Sequence, residues 1–156
     1  RYPDSAHPYI VPAQIFRTAD GWLTLFITHD DFWRTFCAEI GRTQWIDDER
    51  FATMAARRGN RELVLRSIGE VLACETTGRW VERLAPLGIV AAGVETLETA
   101  LASEQTRARE MVADIPLQEG TLRVVGNPIK ISDARDAFRA PPLLGEHDAL
   151  VPGRAS

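Results

Sequence analysis

Apolar residues form two short runs near the start of the chain, before the helical patterns begin. The segments 14–18 and 22–27 are rich in apolar and β-branched residues, and Asp20-Gly21 lies between them. An Asp-Gly pair in this setting is typical of a β-hairpin, because glycine adopts positive φ at little cost. The pattern therefore predicts a hairpin over 14–27. The apolar run of its second strand is nearly unbroken, which predicts burial on both faces.

Later segments carry apolar residues at the spacing of amphipathic helices, and each begins at a residue suited to a helix N-cap. The predicted starts are Asp30 or Asp31, Asn60, Thr76 or Thr77, and Thr96. Gly41 is expected to end the first of these helices. A short apolar run at 89–94 predicts one more strand.

The elements together predict an α+β fold. A small antiparallel sheet, made of the hairpin 14–27 and a short strand near 89–94, packs with four or five helices and is followed by an extended C-terminal arm. The expected divisions are an extended arm over 1–13, a small α/β domain over 14–113, and an extended return segment and tail over 114–156. Because the tail has too little apolar surface for its own core, we expect a homodimer or higher oligomer.

Composition narrows the functional classes. The 156 residues carry a net charge of −4, which does not favour a nucleic-acid partner. No apolar run approaches the roughly 20 residues that span a bilayer, so no membrane partner is expected. Cys37 and Cys74 fall on the apolar sides of helical patterns, which predicts buried free thiols and a cytoplasmic protein.

The polar loop Thr28-His29-Asp30-Asp31 is the strongest candidate for chemistry or ligand contact. It lies where a predicted strand ends and a predicted helix begins, and a histidine beside carboxylates can titrate near neutral pH. The alternative is that one aspartate caps the helix while His29 is simply exposed.

Three arginines, Arg57, Arg58 and Arg61, form a basic cluster before a predicted helix. Arginine binds phosphate through paired hydrogen bonds, so the cluster is a candidate phosphate contact. The alternative is a solvated face whose arginines pair with acidic neighbours. The histidines are far apart in sequence and have no ligand partner at helical spacing, so no metal site is predicted.

Seven segments, in order along nearly the whole chain, resemble motifs of one protein family. They are His7-Pro8-Tyr9-Ile10-Val11-Pro12 with Phe16 to Trp22, Asp48-Glu49-Arg50-Phe51, Arg58-Gly59-Asn60-Arg61, Thr77-Gly78-Arg79-Trp80, Gln105 to Val112, Gly126-Asn127-Pro128-Ile129-Lys130, and Pro141 to His147. The family is the family III CoA-transferases (CaiB/BaiF-like), which includes formyl-CoA transferases and α-methylacyl-CoA racemases. The chain resembles only the small domain and the C-terminal return segment of such proteins.

The resemblance implies that the large domain and the small domain have different roles in the reaction. In the transferases, an aspartate of the large domain forms mixed anhydrides and thioesters with the substrate acyl group, and in the racemases a large-domain His and Asp exchange a proton. The resemblance therefore implies no catalytic residue in this chain. It implies an active-site lid at Thr28, His29, Asp30 and Asp31, although this loop lacks the glycines that some members have.

The expected function is that of a CoA-transferase small domain that is inactive alone, with coenzyme A or an acyl-CoA as a ligand that is not covalently attached. Two alternatives stay open. One is a standalone acyl-CoA-binding or protein-interaction module, and the other is a fragment of an acyl-CoA racemase.

Overall fold

The structure is a computed structural model that describes residues 3–133 and 136–150. Its internal contacts divide the chain into two compact units, Arg1–Val94 and Glu95–Ser156. This division comes earlier than residue 113, and the three-part organisation expected from the sequence stays a prediction. The end of the predicted tail, at 151–156, lies outside the described residues.

The first unit contains a three-stranded antiparallel sheet. Its strands are β1 (Ala13–Arg17), β2 (Trp22–Phe26) and β3 (Val90–Gly93), in the order β1-β2-β3. Phe16 pairs with Leu23 across the first ladder, and Leu25 pairs with Ala91 across the second. The predicted hairpin and the predicted third strand are confirmed.

Strand β2 buries one face only. Leu23 and Leu25 are fully buried, whereas Trp22, on the opposite face, is 42% exposed. Successive side chains of a strand point to opposite faces, so the core needs only every second residue. The prediction that this strand is buried on both faces is therefore wrong.

Four helices complete the first unit: α1 (Asp30–Glu39), α2 (Met54–Gly59), α3 (Arg61–Leu72) and α4 (Thr77–Leu84). The apolar faces of α1, α3 and α4 join the inner face of the sheet in one core cluster, whereas the only buried side chain of α2 is that of Arg57. The fully or almost fully buried apolar side chains of the helices are Trp33, Phe36, Cys37, Val64, Ile68, Leu72, Trp80 and Leu84. The predicted α+β fold, with four or five helices against a small sheet, is confirmed.

The helix starts agree with the sequence only in part. Thr76 caps α4 by accepting a hydrogen bond from the Arg79 amide, as predicted. The N-cap of α1 is His29, so the prediction of Asp30 or Asp31 as the cap is wrong. Asn60 occupies the N-cap of α3, but its side chain makes no capping hydrogen bond. Gly41 adopts a φ of 66° after α1, which confirms it as the stop.

The glycine of the hairpin turn, Gly21, lies close to the first residue of α4. Arg17 pairs with Trp22, so four residues form the loop, and Gly21 is not in the positive-φ region. A Cβ added to Gly21 would lie 3.2 Å from Thr77 Oγ1. The predicted hairpin is present, but Gly21 serves the close approach of α4 rather than an unusual φ.

The second unit contains two short helices and a second hairpin. Helices α5 (Leu97–Ala102) and α6 (Glu104–Ala108) begin at the capping side chains of Thr96 and Ser103. Strands β4 (Val112–Pro116) and β5 (Thr121–Val125) pair in an antiparallel register. The sequence predicted these two strands only as separate extended segments of the arm.

Candidate functional site

The loop Thr28-His29-Asp30-Asp31 connects the sheet to the first helix. It follows β2, and its last two residues begin α1. Thr28, His29 and Asp31 are exposed, and Asp30 is half-buried. His29 Nδ1 lies 2.9 Å from Thr28 Oγ1, and its ring meets the edge of Phe32 at a centroid distance of 6.1 Å. The loop therefore presents an imidazole and a hydroxyl to solvent.

Asp30 differs from its neighbours because its carboxylate is paired with a buried arginine. Arg57 Nη2 donates to Asp30 Oδ1 at 2.6 Å, and the Arg57 side chain is fully buried. The other two nitrogens of this guanidinium donate to backbone carbonyls. Nε donates to Val11 O at 3.0 Å, and Nη1 donates to Phe51 O at 2.8 Å. One side chain thus joins three segments that are distant in sequence.

An aromatic stack lies against this guanidinium. The Arg57 Cζ atom lies 4.7 Å from the ring centroid of Trp33, which is within the range of a cation–π contact. Trp33 is stacked with Trp45 and Phe51, at interplanar angles of 10° and 14°. The indole Nε1 of Trp33 is buried and has no hydrogen-bond partner among the described residues. Trp33 and Phe51 are therefore core residues, the partly buried Trp45 packs against them, and the Trp33 ring lies against Arg57.

Burial in this core also changes the pKa of a cysteine that is close enough to feel the charge of Arg57. Burial raises the pKa of the Cys37 thiol to about 12, and the positive charge of Arg57 offsets only part of that increase. Cys37 is thus a neutral core thiol, as predicted. Cys74 is exposed, so the prediction that both thiols are buried is wrong for Cys74. It follows the end of α3 at Leu72, where the buried stripe of that helix stops.

The three arginines of the predicted basic cluster face different surroundings. Arg57 is part of the core, and its donors to Val11, Phe51 and Asp30 leave it inaccessible to a phosphate in solution. Arg61 is half-buried and donates to the carbonyl oxygens of His7 and Pro8. Arg58 is exposed. The structure therefore does not bring the three guanidinium groups to one surface.

The described residues also contain two surface grooves. The larger, of about 700 Å³, lies in the second unit, where Leu101, Val112 and Val125 form much of its apolar wall. The smaller, of about 280 Å³, lies in the first unit beside Cys74 and Trp80. In residues 3–133 and 136–150, no group of three or more His, Cys, Asp and Glu side chains is placed to hold a metal ion. No helix in that described part is long and apolar enough to cross a membrane.

Sequence reasoning missed the pairing of Asp30 with Arg57. The two residues are 27 positions apart, and Val11 is 46 positions from Arg57. No local pattern encodes such a contact, because helix capping and helical periodicity report only on near neighbours. The one available signal was an arginine inside the short helical stretch that leads to the buried stripe of α3.

Comparison with known proteins identifies the family. The family model described as CoA-transferase family III matches residues 1–148. An acyl-CoA transferase of Fusarium pseudograminearum is 32% identical over 149 residues, which cover 93% of this chain and 33% of that protein. A succinate–glutarate CoA-transferase of Agrobacterium fabrum is 32% identical over 154 residues, covering 94% of this chain and 37% of that protein. This chain thus spans about a third of the length of these curated relatives.

Solved structures agree with this assignment. The crystal structure of a CaiB/BaiF family protein from Brucella suis matches 93% of this chain with a TM-score of 0.78 and 30% identity, and the match covers 38% of that chain. The crystal structure of Rv3272 from Mycobacterium tuberculosis matches 90% of this chain with a TM-score of 0.80 and 26% identity, and covers 40% of that chain. Since the sequence motifs, the family model and the fold all agree, the chain belongs to CoA-transferase family III.

Proposed function

We propose that the complete protein transfers CoA between carboxylic acids and that this chain supplies its small domain. The observation that carries the proposal is the match of the CoA-transferase family III model to residues 1–148. Relatives that match most of this chain include a succinate–glutarate CoA-transferase and an acetyl-CoA:oxalate CoA-transferase. Their printed activities share the exchange of CoA between acids, which is the reaction class that we extend to the complete protein.

This chain alone is expected to have no turnover. The aspartate that forms acyl anhydrides in the transferases belongs to the large domain, and the matching segments here contain no counterpart of it. Two of the aspartates of the first unit also have structural partners. Asp30 is paired with Arg57, and Asp20 accepts hydrogen bonds from the amide and hydroxyl of Thr77. A nucleophilic carboxylate must instead be free to reach a thioester carbon.

We assign the loop Thr28-His29-Asp30-Asp31 the role of a lid that shapes the acyl-CoA pocket. Two features support this assignment: three of its four side chains are exposed, and the loop joins two well-packed elements. A loop held at both ends by a rigid scaffold presents side chains in a defined direction. Of the arginines considered as phosphate contacts, Arg58 is the exposed one and fits that role best.

A homodimer or higher oligomer is proposed on the basis of the second unit. Large apolar side chains there reach solvent, with exposures of 75% for Leu97, 68% for Ile129 and 59% for Leu143. Apolar surface of this kind usually has a protein partner. We also propose the cytoplasm as the compartment, since a protein with two free thiols suits a reducing environment. Light scattering tests the assembly, and a clean monomer at tens of micromolar would contradict it.

The activity is tested on the full reading frame that contains these 156 residues, expressed as one polypeptide. The expected result is CoA exchange between an acyl-CoA donor, such as succinyl-CoA, and a carboxylate acceptor, such as glutarate or oxalate. Product thioesters are followed by chromatography, with each donor and acceptor omitted in turn. Epimerisation of an α-methylacyl-CoA in place of CoA exchange would contradict the proposal.

A further inference from the structure

We propose that Arg57 is a positioning residue for the Thr28-His29-Asp30-Asp31 loop, which it holds through the carboxylate of Asp30. The role of the loop as a lid rests on the proposed function. The anchoring of the loop rests only on the geometry around Arg57.

The two partners of the ion pair differ in how firmly they are held: Arg57 is fixed by the core, and Asp30 is not. Arg57 is fully buried, and two of its donors are taken by the carbonyl oxygens of Val11 and Phe51. The Trp33 ring lies against its guanidinium. The Asp30 side chain, in contrast, is 46% exposed. The guanidinium is therefore held by neutral groups of the core, and Asp30 is drawn to it.

The start of α1 has no other side-chain anchor of the usual kind. Helices α2, α4, α5 and α6 each begin at a Thr or Ser whose hydroxyl accepts a backbone N–H in the first turn. His29, the N-cap of α1, makes no such bond. Asp30 could have served the first-turn amides, but Arg57 Nη2 binds its Oδ1 atom at 2.6 Å. A long-range ion pair thus takes the place of a local cap.

The position of this pair makes its effect specific to the loop. Asp30 directly follows His29 and is the first residue of α1. Holding its side chain therefore also holds the backbone of the loop at the start of the helix. A charge-assisted hydrogen bond contributes more than a neutral one. Loss of the pair should free the loop while the core behind Arg57 stays packed.

The test measures hydrogen exchange of the 156-residue chain by mass spectrometry, without ligand. The informative variant is Asp30→Asn, because it removes the charge of the half-buried partner and leaves Arg57 bonded to Val11 and Phe51. We expect exchange in the peptide that covers 28–33 to rise about tenfold or more after correction for intrinsic rates, given the strength of charged hydrogen bonds. Exchange within α3 should change little.

Asp31→Asn is the matched control, since it makes the same chemical change one residue later, at an exposed side chain. It should leave exchange in the loop near that of the parent chain. Arg57→Lys keeps the positive charge but has no planar set of donors for three partners, so it should also loosen the loop. Adding Asp30→Asn to Arg57→Lys should then have little further effect, because the pair is already broken.

Two outcomes would overturn the inference. One is loop exchange in Asp30→Asn equal to that in Asp31→Asn, which would mean that the pair does not hold the loop. The other is a uniform rise across α1, α3 and α4, which would mean that Asp30 supports the whole unit. If Arg57→Lys does not fold, Asp30→Asn still decides between these results. Because no CoA is present, failure here is distinct from failure of CoA transfer by the full reading frame.

Discussion

Trp33 and Leu97 are both large apolar residues on helices, yet Trp33 is fully buried and Leu97 is 75% exposed. The contrast extends to the units that contain them. Residues 3–94 contain a three-stranded sheet and four helices, and apolar residues of the sheet and of α1, α3 and α4 form a single core. Among the described hydrophobic residues after Val94, Ile115 is the only one in the buried class.

The difference shows what each unit can stabilise by itself. In the first unit, apolar side chains from β1, β2 and the helices α1, α3 and α4 meet, so burial within the unit can offset the entropy of ordering the chain. The backbone ladder of the second unit joins two strands that are close in sequence, and most of its large apolar side chains are exposed. Local hydrogen bonds define its shape, but its apolar surface is suited to a partner.

The largest expected difference in the free energy of unfolding is between the alanine variants of Trp33 and Leu97. Trp33→Ala should destabilise the chain by about 3–5 kcal/mol, because a fully buried aromatic side chain leaves a cavity. Leu97→Ala should change the free energy of unfolding by no more than about 0.5 kcal/mol, because its side chain is exposed and alanine favours a helix. Urea unfolding followed by circular dichroism, in dilute protein, measures both. Equal losses would mean that the second unit has a core of its own.

The same burial difference separates the two cysteines. At pH 8, the exposed Cys74 should react with a thiol reagent at least about a hundredfold faster than Cys37, whose pKa of about 12 leaves almost no thiolate. Counting labelled thiols against time measures this ratio, and Cys74→Ser should abolish the fast phase. Rapid labelling of Cys37 in the folded chain would show that the core around Arg57 opens readily.

The linkage for Cys37 also has a definite sign. Because the folded chain raises its pKa, the folded state retains the thiol proton more strongly than the unfolded chain does. The contribution to stability is complete below the usual thiol pKa and is lost as the pH rises toward about 12. Cys37→Ala should therefore reduce the loss of stability in this alkaline range.

Two glycines of the first unit should respond in opposite directions. Gly21→Ala should cost about 1–3 kcal/mol, because the added Cβ would lie 3.2 Å from Thr77 Oγ1. Gly69→Ala, inside α3, should instead stabilise by about 0.5–1 kcal/mol, because a Cβ there meets nothing within 4 Å. Thermal unfolding of the two variants checks the signs. A stabilising Gly21→Ala would show that α4 does not approach the hairpin as closely as the structure shows.

The smallest expected effect is electrostatic and concerns an exposed ion pair. Hydrogen bonds from the side chain and the amide of Arg50 lower the pKa of Asp48 to about 2. Because the folded pKa is the lower one, the stabilisation is present above the usual carboxyl pKa and is lost as the pH falls through about 2. Carboxyl titration by NMR measures the shift, and Arg50→Ala should move the pKa back up. Asp114, which pairs with Arg123 in the second unit, should show a lowered pKa as well.

The parts of the fold that sequence could predict are those set by near neighbours. Thr76 and Thr96 cap helices because each hydroxyl needs only an amide three residues later. The outward-facing Trp22 of β2 was not predicted, because an apolar run reports hydrophobicity but not which face the core covers. The pairing of β4 with β5 was not predicted, because the sequence pattern of each strand indicates only an extended segment.

The candidate site follows the same rule. The location of the Thr28-His29-Asp30-Asp31 loop was predictable, since it needs only a strand end and a helix start. The role of Asp30 was not, because Arg57 is 27 residues away and takes the carboxylate expected to cap α1. Likewise, Arg57, Arg58 and Arg61 look like one cluster in the sequence, whereas the turn from α2 to α3 separates their surroundings.

The central proposal is that this chain provides the small domain and a lid loop of a family III CoA-transferase, whereas the catalytic residues belong to the large domain. The most direct test is an assay of the 156-residue chain alone with succinyl-CoA and glutarate, alongside the Agrobacterium fabrum succinate–glutarate CoA-transferase as the positive control. We predict that no thioester product forms above the rate without protein, although the chain is folded by circular dichroism. Robust CoA transfer by this chain alone would contradict the account.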